Sequence, residues 1–240
     1  MMIIVDERIV KQFDNVQIGV LILKDVNNEY GSNFSKIDEI LREEEKKILD
    51  EFKDIEIPSH ENIKIWRNIY AKFGAKPSKF RSSIESLIRT VLSDKSDHKI
   101  KRISPLVDLY NYISLKYRLP VGGDDLDKVE GNLRLTIADG TEPFRILSAG
   151  EYETEIVNEN EVIYRDDIET LCRRWNWREC NKTRLTEESK NICLFVESSE
   201  LYDENAIHKI LEEMESQIKT FCGGTSQRTV LNKDNLKYEI

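Results

Sequence analysis

The apolar positions of the chain change period part-way along it. The run VQIGVLIL, residues 16–23, is almost wholly apolar and predicts a buried strand. Beyond it, Ile37, Ile40, Leu41, Ile48 and Phe52 fall near one helical stripe, with Ser35 as N-cap and REEEKK as the solvated face. PSHENIKIWRNIYAKFG puts Trp66, Ile69, Tyr70 and Phe73 on one face, with Ser59 as cap and Gly74 as stop. A third helix carries Ile84, Leu87, Ile88, Val91 and Leu92, capped by Ser78 or by Ser82 with Glu85. A fourth opens at Ser104–Pro105, N-cap and N1, and aligns Leu106, Leu109, Tyr110, Ile113 and Tyr117. It runs into LPVGG, where Pro120, Gly122 and Gly123 predict irregular backbone.

Further on the period shortens. NLRLTIA, EPFRIL, EVIYRD, LCRRWNW and ICLFVES read as antiparallel strands separated by Gly, Asp or Asn turns. A last helix, from about Asp203 to Phe221, turns Ile207, Ile210, Leu211, Met214 and Ile218 inward, and CGGT stops it. The tail RTVLNKDNLKYEI adds an edge strand. Helices first and strands later predict an α+β fold, with helices packed on a mainly antiparallel sheet. One domain is expected over residues 1–240, with a strand and helix in 1–55 and a helix and edge strand in 201–240.

Composition narrows the function without naming it. The 240 residues carry a formal net charge of −9 and a pI of about 5.1. That disfavours a broad non-specific nucleic-acid surface and leaves room for a local basic patch. The N-terminus MMIIVDERIV lacks the basic stretch of a signal peptide, and the longest apolar run is too short to span a bilayer. A cytoplasmic protein with no membrane partner is expected. Cys172, Cys180, Cys193 and Cys222 form no CxxC pair, so reduced, semi-buried thiols are expected, with no metal and no organic cofactor. GxGxxG, P-loop, HExxH and GxSxG patterns are absent.

LCRRWNWREC, residues 171–180, concentrates arginine and tryptophan in this acidic chain. Read as extended, it turns Leu171, Arg173, Trp175 and Trp177 one way and Cys172, Arg174, Asn176 and Arg178 the other. The second row offers two planar guanidinium forks and an amide, suited to carboxylate, phosphate or sugar. The same arginines could instead make cross-strand salt bridges to Asp166, Asp167, Glu169 or Glu179. Asn111 sits between two tyrosines, off the apolar stripe of its helix. Gly122 and Gly123 would let a ligand approach the backbone. Lys76, Lys79 and Arg81 gather around a turn and could meet phosphates or be ordinary surface. Glu197 is an acid at a strand terminus.

The order of these pieces carries a resemblance. VDLYNYISLKYRLPVGGDDLDKVEG, residues 107–131, resembles the B3/B4 domain of the phenylalanyl-tRNA synthetase beta subunit. The match holds Val107, Asp108, Asn111, Tyr112, Pro120, Asp125, Leu126, Asp127, Lys128 and Gly131. TEESKNICLFVE continues it, and the whole looks like the free-standing B3/B4-domain proteins over roughly residues 60–200. In the synthetase that domain removes tyrosine wrongly esterified to the tRNA 3′ end. The resemblance implies a site for an aminoacylated tRNA 3′ end and an editing-like deacylase acting in trans, not a complete synthetase. The alternative is a non-catalytic module binding a tRNA end or a free amino acid; a third is a protein-interaction domain.

Carried over, Asn111 takes the place of a pocket asparagine, Pro120 of a pocket-wall proline and Glu197 of the acid that senses the substrate. Tyr110 stands where the bacterial pocket has threonine, and Gly122 where it has histidine, so tyrosine specificity is not implied. The expected substrate contacts are Tyr110, Asn111, Pro120, Gly122, Gly123, Arg174, Asn176, Arg178 and Glu197. Lys76, Lys79, Arg81 and Arg173 are the expected tRNA phosphate contacts. Catalysis would fall to Asn111, the Gly122–Gly123 backbone or Glu197, around a bound water.

Overall fold

The computed structural model describes residues 1–148 and 150–240, Ser148 and Tyr152 for their backbone alone. Strand β1 (Met2–Val5), helix α1 (Glu7–Gln12) and strand β2 (Gln17–Lys24) open the chain. Helices α2 (Phe34–Glu51), α3 (Glu61–Lys72), α4 (Ser83–Val91) and α5 (Pro105–Tyr117) follow. Next come β3 (Val121–Asp125), β4 (Leu133–Ile137), β5 (Pro143–Ser148), β6 (Glu151–Ile156), β7 (Val162–Arg165), β8 (Thr170–Arg173), β9 (Arg178–Glu179) and β10 (Ile192–Ser198). Helix α6 (Glu204–Cys222) and strands β11 (Thr225–Leu231) and β12 (Lys237–Glu239) close the chain.

Capping residues set several boundaries. Ser82, not Ser78, caps α4 by accepting from the Glu85 N–H. Ser104 caps α5 with Pro105 at N1, as its sequence predicts. Asp203 caps α6 by accepting from the Ala206 N–H. Two expected caps fail. Ser35 lies inside α2, which starts at Phe34. Ser59 ends a short 3₁₀ turn beginning Ile57–Pro58, so α3 starts only at Glu61.

The strands form an antiparallel sheet in the order β11-β2-β10-β3 and a mixed sheet in the order β12-β1-β4-β7-β8-β9. In the second, only β1 and β4 run parallel among the described pairs. Strands β5 and β6 make a separate hairpin. The fold is α+β, as the order of patterns predicts. The tail supplies two edge strands rather than one.

The four-stranded sheet divides two apolar cores, and strand alternation assigns the residues. Ile18, Val20 and Ile22 of β2, with Cys193 and Phe195 of β10, face a core shared with α3, α4 and the six-stranded sheet. Leu21, Leu23, Ile192, Leu194 and Val196 face the other way, onto α5 and α6. The LPVGG segment does not break the backbone: Val121–Asp125 is a regular edge strand paired with β10. Glycine is what lets it pair so closely. A Cβ on Gly123 would lie 2.3 Å from the Cys193 carbonyl oxygen.

LCRRWNW is not one strand. Its first three residues belong to β8, 174–177 form a turn, and β9 follows. Arg174 and Trp175 both take left-handed backbone, at φ 47° and 65°. Non-glycine residues held there are strained, and packing must hold them. Trp175 supplies that packing. It is fully buried, with Trp66 and Phe13 edge-on at ring-centroid distances of 5.2 Å each.

Candidate functional site

Strand pairing builds a cavity on the face of β3 and β10 that looks away from α5 and α6. Gly122 sits opposite Phe195, and Asp124 opposite Cys193. Glu197 follows two residues after Phe195 and so points to the same side. The β8–β9 turn and the first turn of α4 close over this face. The cavity holds about 320 Å³ and is lined by Ser83, Val121, Gly122, Gly123, Asp124, Tyr164, Cys172, Trp175, Asn176, Trp177, Arg178, Glu179, Phe195 and Glu197. That is the lower end of the range for small-ligand sites.

Glu197 is its best-held polar group. Tyr164 donates its hydroxyl to Oε1 at 2.7 Å, and Asn176 donates Nδ2–H to Oε2 at 2.6 Å. The Tyr70 hydroxyl donates to Asn176 Oδ1 at 2.9 Å, which fixes the orientation of that amide. The Trp175 indole N–H faces the same carboxylate without reaching hydrogen-bond geometry, and it has no other partner in the protein. Ser83 Oγ, also on the cavity wall, is likewise unpartnered. Both donors are buried behind the surface of the wall.

Burial dominates the acid's titration. It pushes the Glu197 carboxyl up to about 7, against the opposing effect of its hydrogen bonds. Burial also raises Asp124 to about 6, with a Thr183 hydrogen bond opposing and the Asp166 and Asp125 carboxylates adding to the rise. At Glu179, enclosure by the surrounding protein and then the Asp124 carboxylate push the pKa up; its side chain still reaches solvent, and water screens part of that shift.

These shifts have a consequence for stability. The folded chain holds protons on Glu197 and Asp124 that the unfolded chain releases at lower pH. Stability therefore falls as pH rises from the ordinary carboxylate range through about 7. Glu197→Gln removes one of the two groups. Its melting temperature, followed from about pH 5 to about pH 8, should fall less than that of the wild type.

The structure brings together Gly122, Gly123, Asn176, Arg178 and Glu197 of the expected site residues. It places the others elsewhere. Asn111 is buried on α5 and lines neither this cavity nor its neighbour. Pro120 lies behind the wall, its carbonyl accepting from the Glu197 N–H at 3.0 Å. Tyr110 lines a second cavity. Arg174 leaves the row of Asn176 because the turn breaks the alternation. Its guanidinium lies 3.8 Å over Phe80 and 4.5 Å over Trp177, and 3.5 Å from Glu161. Arg173 is buried against Glu155 and Glu161, the salt-bridge alternative but with different acids from those expected. A buried, paired guanidinium is not available to a phosphate. Lys76, Lys79 and Arg81 are exposed on the segment that leads into Ser83.

Asp124, Tyr164, Ser83 and Glu179 also line the cavity, and the sequence does not single them out for it. Only the β3–β10 register and the fold of the turn reveal them. The four cysteines are free thiols, and burial raises Cys172 and Cys193 well above the ordinary range. Among the described residues, no three His, Cys, Asp or Glu side chains are grouped to hold a metal ion. Nor is any helix among them long and apolar enough to cross a membrane.

Residues 65–223 match the family model of the B3/4 domain. The chain belongs to that family. Both arms of the cavity, β3 with β10 and the β8–β9 turn, fall inside the matched B3/4 region. A phenylalanine–tRNA ligase beta subunit from Idiomarina loihiensis is 32% identical over 100 residues. That alignment covers 42% of this B3/4 chain and 12% of the subunit. An N-terminal fragment of the phenylalanyl-tRNA synthetase beta subunit from Pyrococcus horikoshii aligns at a TM-score of 0.44 and 12% identity. The alignment covers 98% of this chain and 53% of that one. The chain thus spans only part of the length of the proteins it resembles.

Proposed function

We propose that this B3/4 chain receives the aminoacylated 3′ end of a tRNA in the cavity on β3 and β10 and hydrolyses a wrongly attached amino acid in trans. Glu197 is the observation that carries the reading. A buried carboxyl held by Tyr164 and Asn176, with its pKa raised to about 7, is suited to take a proton near neutral pH. The family membership and the phenylalanine–tRNA ligase beta subunit among the relatives support tRNA as the partner.

In this mechanism the α-ammonium of the aminoacyl group meets the acceptors of Asp124 and Glu179. Aromatic Trp177 and Phe195 wall its side chain. Water attacks the ester carbonyl and passes a proton to Glu197. The developing oxyanion is met by the Gly123 N–H; β3 is a sheet edge, and Gly123 turns its N–H away from β10 while that of Gly122 is taken up by the pairing with Phe195. The C–O bond to the ribose breaks, the ribose oxygen takes up the proton, and amino acid and tRNA leave. Lys76, Lys79 and Arg81 remain the proposed phosphate contacts outside the cavity.

A panel of mischarged tRNAs tests this. The expected result is that at least one loses its amino acid faster with protein than in buffer. If none does, while a tRNA or a free amino acid still binds, the chain is a binding module and the hydrolytic reading is wrong.

A further inference from the structure

Buried acids in this chain follow a rule, and the cavity on β3 and β10 breaks it. Among the described residues, every buried aspartate or glutamate lies within ion-pair distance of an arginine or lysine except Asp124 and Glu197. Both line that cavity. A buried carboxylate without a cation is costly, so the exception needs a reason. Glu179, the third carboxylate on the wall, has neither an ion pair nor a hydrogen bond through its side chain. Both Glu197 oxygens are taken, by Tyr164 and Asn176. Thr183 donates to Asp124 Oδ1, whereas Oδ2 has no partner in the protein, although Asp124 is only 8% exposed. Asp124 shares its face of β3 with Gly122, and Glu179 Oε1 lies 3.2 Å from where a Gly122 Cβ would be. The two acids thus flank a glycine whose missing side chain leaves room between them. Arg178 is the only cation among the lining residues and pairs with none of the three; its guanidinium lies 6.0 Å from the Trp177 ring centroid.

We infer that the cavity selects aminoacyl groups that carry a second positive charge, lysine or ornithine rather than a neutral side chain, with Asp124 and Glu179 sharing the two cations. The inference rests on this cavity being the aminoacyl site. With its carboxylates ionised, the wall sets three negative charges against one positive. A single α-ammonium leaves an excess negative charge, and a side-chain ammonium removes it. Trp177 and Phe195 give the methylene stem an apolar wall while its charged end reaches a carboxylate. Glu197, its oxygens held by Tyr164 and Asn176, is left for the proton transfer. An acidic side chain would meet the same carboxylates and be repelled.

The test is calorimetric binding of L-lysinamide and L-norleucinamide to the full chain, to Glu179→Gln and to Asp124→Asn. The two amides share an α-ammonium and an aliphatic stem, and only the first carries a terminal ammonium. The wild type should bind lysinamide about tenfold more tightly, a preference that shrinks with salt. Glu179→Gln should bring the ratio close to one; Glu179 is exposed, so this variant should melt with the wild type. Asp124→Asn, which keeps the size of its side chain, should lower the ratio in the same way. Equal affinity for the two amides in the wild type overturns the inference. So does a preference for lysinamide that neither variant reduces. The deacylation assay separates the two claims. If tRNAs mischarged with neutral amino acids are hydrolysed as fast as one mischarged with lysine, the charge selection is wrong and the hydrolytic reading stands. If no tRNA is hydrolysed but lysinamide is preferred through Glu179, the reverse holds.

Discussion

Trp175→Ala is expected to destabilise the fold by about 3–5 kcal/mol, the range for removing a fully buried tryptophan. Two effects combine. The indole fills the centre of the core between Trp66 and Phe13, and its loss leaves a void that rigid neighbours close only in part. The same packing also holds residues 174 and 175 in left-handed backbone. Without it the turn relaxes, and Asn176 loses its place beside Glu197. A domain of ordinary stability has about 5–15 kcal/mol in total, so a large part of its margin would go. Denaturant unfolding of wild type and variant measures the loss. Trp177→Ala is the comparison. Trp177 is only half-buried, against Phe80, and should cost much less. Equal losses in the two would mean that Trp175 is not the anchor of the turn.

Glu197→Gln is expected to lower kcat for deacylation by about 100-fold or more, the usual worth of a positioned general base. The amide keeps the size of the carboxyl but cannot take the proton from water, so KM should change little. The wild-type rate should rise with pH through about 7 as Glu197 ionises. Tyr164→Phe removes a hydrogen bond that favours the ionised form. Its rising limb should therefore move to higher pH. A profile that Tyr164→Phe leaves in place, or a Glu197→Gln enzyme of wild-type kcat, would remove Glu197 from the proton transfer.

Much of the fold is legible where apolar periodicity is long. The stripe of α6, the cap and proline of α5, and the run at 16–23 all fix their elements locally. Two readings failed for non-local reasons. LPVGG has the glycines of an irregular loop, yet it pairs as a strand because Gly123 lets the Cys193 carbonyl approach. LCRRWNW alternates and is rich in tryptophan, as strands are. Its turn contains no glycine or Asn-Gly signal, because the burial of Trp175 supplies what glycine usually would. That one misread turn accounts for Arg174. Alternation set it in a row with Asn176, whereas the turn lays it against Phe80 and Glu161. Glu197 and Gly122 could be picked out singly. Their partnership with Tyr164, Asn176 and Asp124 needs three strands and a turn brought together from distant parts of the chain.

A structure of the full chain with a non-hydrolysable 3′-aminoacylamino-adenosine tests the central claim most directly. The account predicts the aminoacyl group in the cavity between Glu197, Asn176 and Trp177, its carbonyl at Gly123. An aminoacyl group bound elsewhere, with Glu197 still enclosed by Tyr164 and Asn176 and untouched by ligand, would contradict it.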